Sequence, residues 1–116
     1  MTDPLTRALT HFNAEEYRQA LLAFEERWHH ERSDVLRALI QLSNALNQLR
    51  MGMITSPRQL LANAERLLEP SAEYEGIDLR PIQQYIGELR GRIPPEKQTG
   101  DPGIPWSETP RLRIDR

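Results

Sequence analysis

Glu25 is the carboxylate best placed in this sequence to do chemistry. It lies four residues after Leu21 and three before Trp28, so on a helix it borders the apolar face instead of pointing into bulk water. Held there, it is either an acid or base with a raised pKa, or an acceptor for Gln41, Gln48 or the Trp28 indole that fixes how two helices dock. A lone carboxylate without a partner acid, base or metal makes a poor active site, which favours the structural reading. His29-His30-Glu31 superficially suggests a metal site. Neighbouring histidines on a helix, however, point about 100° apart and do not easily grip one ion together. They read as helix C-terminal histidines facing the last carbonyls, and the isolated His11 reads the same way. No glycine-rich phosphate loop, nucleophile elbow or HExxH helix occurs. No catalytic residue, metal site or cofactor is assigned.

The C-terminal stretch is the second feature with chemical content. Five of the nine prolines and two of the six glycines fall in the last 24 residues, a spacing that no helix or central strand survives. Its apolar residues Ile104, Trp106, Leu112 and Ile114 are unusual for a purely solvating linker and read as anchors. Gly100 to Trp106 either folds back across a groove of its own domain or docks on another protein. An extended Pro-Trp segment costs little to order and tryptophan is a preferred anchor.

The elements that must position these residues follow from caps and periodicity. Asp3-Pro4 opens a short helix carrying Leu5, Ala8, Leu9 and Phe12 and closing near His11. Asn13 caps a second helix from Ala14 to about His29, with the stripe Tyr17, Leu21, Phe24 and Trp28. Trp28 on that stripe reads as core, its truncation to alanine costing roughly 3 to 5 kcal/mol. Ser33 caps a third helix whose apolar residues Val35, Leu36, Leu39, Ile40, Leu42, Leu46 and Leu49 cover more than one side, which makes it central. Ser56-Pro57 starts a fourth helix of about 14 residues, stopped by Pro70. After a polar loop from Ser71 to Gly76, Asp78 caps a fifth with Leu79, Ile82, Tyr85, Ile86 and Leu89. No strand alternation is visible.

Composition sets the outer bounds. A chain of 116 residues, 38% hydrophobic and 28% charged, has the make-up of one globular domain. The longest apolar run, Ala20 to Phe24, is far short of the roughly 18 to 20 residues that span a bilayer, and the acidic start carries no secretory signature. The net charge of −2 argues against nucleic acid as a principal partner. Arg50, Arg58, Arg66, Arg80, Arg90 and Arg92, scattered among acids, read as a solvated surface before an acidic-partner site. Zero cysteines exclude disulfides and thiolate chemistry and fit a reducing, cytosolic location.

Phe12-Asn13-Ala14-Glu15-Glu16-Tyr17, followed by Glu25 and Trp28 and then by Ala38-Leu39-Ile40-Gln41-Leu42 and Leu49-Arg50-Met51-Gly52, resembles the domain of unknown function 309 family. That family pairs a helix of the form F-N-x-x-x-Y-x-x-A-H-x-x-x-E-x-x-W with one of the form G-L-I-Q-L-A-x-A-x-x-H-L-x-x-G-N. The resemblance runs roughly from Leu5 to Leu89 and implies a small helical protein, with no activity assigned to the family as a whole. Its members' distribution extends the location to plastid or cyanobacterial interiors. The first histidine of the pattern falls at Leu21, the second at Gln48 and the final asparagine at Met53. If the pattern marks a polar site, this chain lacks both imidazoles and with them the natural metal ligands and general bases.

The expected architecture is all-α: a bundle of about five helices over residues 1–92, with an extended proline-rich tail over 93–116. The expected role is a non-enzymatic interaction or assembly module that meets another protein or a second copy of itself. Ile104, Trp106 and Leu112 are its candidate docking residues. The alternative is a small enzyme or ligand-binding protein using an inter-helix pocket around Glu25, Trp28, Gln41 and Gln48, with Asn44 beside them.

Overall fold

A computed structural model of the chain describes residues 3–93 and 105–116. Ile104 lies outside the described residues. Helix α1 spans Pro4–Asn13, α2 Tyr17–His30, α3 Asp34–Arg50, α4 Thr55–Leu68 and α5 Arg80–Arg92. The fold is the expected all-α bundle. Helix α3 packs against both α2 and α4, α1 rests on α2, and α5 rests on α4.

The central place of α3 follows from its pattern, with nine buried residues from Val35 to Leu49. Ser33 caps it as expected, its hydroxyl accepting from the Val35 and Leu36 amides at 3.1 and 3.5 Å. Gly52 closes it with φ +87°, a left-handed conformation that favours glycine. The Gly52 amide then reaches the Leu49 carbonyl at 2.9 Å and the Met53 amide the Gln48 carbonyl at 3.0 Å. This Schellman pairing satisfies carbonyls that the helix end would otherwise orphan.

Several expected caps are employed elsewhere. Asp3 makes no capping bond and instead receives Arg27 at 3.2 Å and Arg116 at 3.4 Å. Asn13 is the last residue of α1, and α2 begins only at Tyr17. Helix α4 starts at Thr55, one residue before Ser56, so Ser56 is no cap. Asp78 accepts from the Arg80 amide at 3.1 Å but stands one residue outside the capping position, which Leu79 holds.

The segment read as a polar loop from Ser71 to Gly76, with the two residues after it, forms a two-residue antiparallel pair, β1 Glu73–Tyr74 and β2 Ile77–Asp78. Its tip, Glu75 at φ +50° and Gly76 at φ +83°, has the two left-handed residues of a tight hairpin turn. Glutamate is an uncommon choice at the first of these, so the pair is hard to see in the sequence. Tyr74 ties the hairpin to the residue that follows α2, its hydroxyl donating to Glu31 at 2.9 Å.

Beyond Pro105, one 3-10 turn forms at Trp106–Glu108 despite the flanking prolines. The chain then runs extended to Arg116 along the bundle, with Ile114 and Thr109 buried. The tail over 105–116 is therefore part of the folded domain.

Candidate functional site

Two places on the molecule carry polar groups in unusual settings: the outer face of α2 and α3, and the seat of the C-terminal segment.

Leu21, Glu25 and Trp28 lie along one strip of α2, and Gln41, Asn44 and Gln48 along one strip of α3. All six are half-buried. Helical spacing thus places the sequence-predicted residues on two strips, but it does not bond them to one another. Among the described residues, no hydrogen bond joins Glu25 to Gln41, Gln48 or the Trp28 indole, so the expected docking bonds of Glu25 are not made. The Gln48 amide donates to Asn44 at 3.3 Å, while the side-chain oxygens of Gln41 and Gln48 are buried without a partner. Trp28 is not core. It packs at the margin, with the Arg32 guanidinium 3.9 Å above its ring and His29 edge-on at 5.7 Å. The buried stripe of α2 turns instead through Tyr17, Ala20, Ala23 and Phe24. Among the described residues, no cluster of three or more His, Asp or Glu side chains is placed to hold a metal ion.

The seat of the tail is built differently. Asn13, freed from capping because α2 starts three residues later, turns its amide toward the tail. Its Nδ2 donates to the Ile114 carbonyl at 2.9 Å and its Oδ1 accepts from the Ile114 amide at 2.8 Å. One side chain thereby satisfies both polar groups of one extended residue, the pattern by which a strand edge is read. Ile114 itself is only 2% exposed.

Around this bracket the tail is fastened at three further points. The Tyr85 hydroxyl of α5 donates to the Pro110 carbonyl at 2.8 Å. Arg111 donates from Nε to Glu15 at 2.7 Å and from Nη1 to the Trp106 carbonyl at 2.7 Å and to the Thr109 carbonyl. Arg116 reaches the Thr6 hydroxyl at 3.2 Å. Glu15 sits at φ +61°, a strained conformation for a residue other than glycine. It is the pivot of this corner, because its carbonyl also accepts from Arg50 of α3 at 2.7 Å.

An aromatic and cationic ladder underlies these bonds. Phe12 meets Tyr17 edge-on at 5.3 Å, Tyr17 meets Trp106 edge-on at 5.9 Å, and the Arg111 guanidinium lies 3.9 Å over the Trp106 ring. Trp106 and Leu112, the sequence-predicted docking residues within the described part, both pack half-buried against their own bundle. Burial, aided by the Glu15 charge, pushes the Tyr17 hydroxyl up to about 12. Burial likewise pushes Tyr85 far above the ordinary tyrosine range, so both phenols keep their protons at neutral pH. A cavity of about 470 Å³ opens beside the tail, lined by Thr6, Thr10 and Asn13 on α1 and by Arg113, Ile114 and Arg116.

The key residues of this seat, Asn13, Glu15, Tyr85 and Arg111, carry no local signature. Asn13 reads as a cap and Tyr85 as a core residue, and only the 101-residue separation of Asn13 and Ile114 in sequence explains why.

No curated protein and no solved structure matches the chain. Residues 5–60 match the profile of a family described as Domain of unknown function (DUF309). The matched segment covers α1, α2, α3 and the opening of α4, and stops short of the Leu89 limit read from the sequence, so α5 and the tail lie outside it. Through its first three helices, which include Asn13, Glu25, Trp28 and Gln41, the chain is similar to this family of unknown function over a little under half of its length.

Proposed function

We propose that this chain is a non-enzymatic helical interaction and assembly module whose bundle carries a seat for an extended, proline-bearing, tryptophan-anchored segment. The observation that carries the reading is the bidentate hold of Asn13 on the Ile114 backbone. A bracket on main-chain atoms favours an extended backbone over a particular side chain, and Trp106 and Pro110 supply the anchor and the stiffness. The chain's own residues 105–116 fill the seat. A segment of the same chemistry on another protein would compete for it, and the tail then sets the threshold that such a partner must exceed.

The test is a titration of protein ending at Arg92 with a synthetic peptide of residues 105–116. Saturable binding, weakened about tenfold or more when the protein carries Asn13→Ala, is the expected result. A folded truncated protein that ignores the peptide up to millimolar concentration overturns the reading.

The orphaned oxygens of Gln41 and Gln48 favour a second reading, in which a small ligand bearing N–H or O–H donors docks near Glu25. Guanidinium and amide fragments would then raise the melting temperature of the native protein but not of a Gln41→Leu/Gln48→Leu variant. Equal shifts in both proteins remove this reading.

A further inference from the structure

Leu22 is half exposed at 51%, the only large hydrophobic side chain within a described helix that is exposed to this degree. At about 100° per residue, Arg18, Leu22, Glu25 and His29 form the outward strip of α2, with Leu21 and Trp28 half-buried along its edge. Helix α1 lies beside the flank of α2 that carries Glu26 and Arg27, where Glu26 receives Arg7 at 2.7 Å and Arg27 holds Asp3. Glu26 is one turn beyond Leu22, so α1 borders the strip on that side, and Arg18 and Leu22 stay exposed.

The charges on this strip are unspent. Arg18 and Glu25 have no side-chain ion pair or hydrogen bond with any other described residue, as is also true of Arg37 and Arg66, whereas Arg7, Arg27, Arg50, Arg90, Arg111 and Arg116 are bonded. Arg18 and Glu25 stand at equal distances on either side of the Leu21–Leu22 pair, seven residues or about 10.5 Å apart along the axis. A strip with a cation at one end, a carboxylate at the other and leucines between them is complementary to itself when turned end for end.

We propose that a second copy of this chain covers the strip, through antiparallel packing of α2 on α2 about a two-fold axis between Leu21 and Leu22. In that arrangement Arg18 faces Glu25 of the partner subunit and Glu25 faces the partner subunit's Arg18, so one crossing satisfies both charges twice over. The leucines meet at the centre at the usual helix separation of about 8 to 10 Å. One helix face buries little surface for a dimer, so the association is weak, in the range of tens of micromolar or higher. The strip shares no residue with the seat of the tail, so the inference stands apart from the peptide reading, and failure of either leaves the other intact.

Sedimentation equilibrium of the full chain from about ten micromolar to one millimolar tests this. The expected result is a monomer–dimer equilibrium whose dissociation constant rises at least tenfold with Glu25→Arg and also with Arg18→Glu. It returns to within about threefold of the native value when the two are combined, because the swapped charges again face each other. Leu22→Glu removes the dimer. A monomer at every concentration overturns the proposal, and so does a dimer that all four variants leave unchanged or one that the double variant fails to restore. Circular dichroism of each variant establishes that the helices persist.

Discussion

The two polar regions of this molecule are opposites. At the seat of the tail, Asn13, Glu15, Tyr85 and Arg111 each have a bonded partner across the joint between bundle and C-terminal segment, and only the Tyr17 hydroxyl beneath them has none. On the outer face of α2 and α3, Gln41 and Gln48 have side-chain oxygens with none, and Arg18 and Glu25 are unpaired among the described residues. A satisfied polar network fixes one arrangement of the chain, whereas orphaned groups cost stability and mark where an arrangement is incomplete. The first region reads as a completed contact, and the second as one awaiting its partner.

The largest expected effect breaks the first region. Asn13→Ala removes two hydrogen bonds to the Ile114 backbone and should lower stability by about 2 kcal/mol in urea unfolding, with the tail becoming the first site of proteolysis. Next comes alkaline pH. Tyr17 titrates near 10 when unfolded and near 12 when folded, so the folded state binds more protons in between. Its contribution is present in full below pH 10 and is lost as pH rises to 12, a fall on the order of 2 kcal/mol. Unfolding measured across that window should show the fall in the native chain and a shallower one in Tyr17→Phe, with the remainder owed to Tyr85.

A smaller loss, about 1 kcal/mol, is expected of Tyr85→Phe, since its hydroxyl reaches only the Pro110 carbonyl. At neutral pH Tyr17→Phe should cost nothing, because the hydroxyl it deletes is buried without a partner. The second region sharpens the contrast. Gln48→Leu should leave stability unchanged or raise it by up to about 1 kcal/mol, since the lost bond to Asn44 is long and the oxygen unpartnered. A cost like that of Asn13→Ala would erase the distinction between the two regions.

What could be read in advance divides along the same line. Helices α1 to α5 were legible because leucine and aromatic spacing, Ser33, Gly52 and Pro70 are local signals. Strip membership of Glu25, Gln41 and Gln48 was legible for the same reason, but their bonding was not, because periodicity says which way a side chain points and not what stands opposite it. Trp28 shows the limit. Its spacing puts it on the apolar stripe, yet Ala20 and Ala23 take the buried positions and Arg32 covers the indole. The seat of the tail was illegible in its particulars. Asn13 near a helix start looks like a cap, and its actual partner is at the far end of the chain.

The most direct measurement of the completed contact is amide hydrogen exchange at Ile114 in the native chain and in Asn13→Ala. Strong protection in the native chain, lost in the variant while the amides of α3 keep theirs, is the predicted result. An Ile114 amide that exchanges as freely as an unfolded one in the native chain, or that keeps its protection without Asn13, contradicts it.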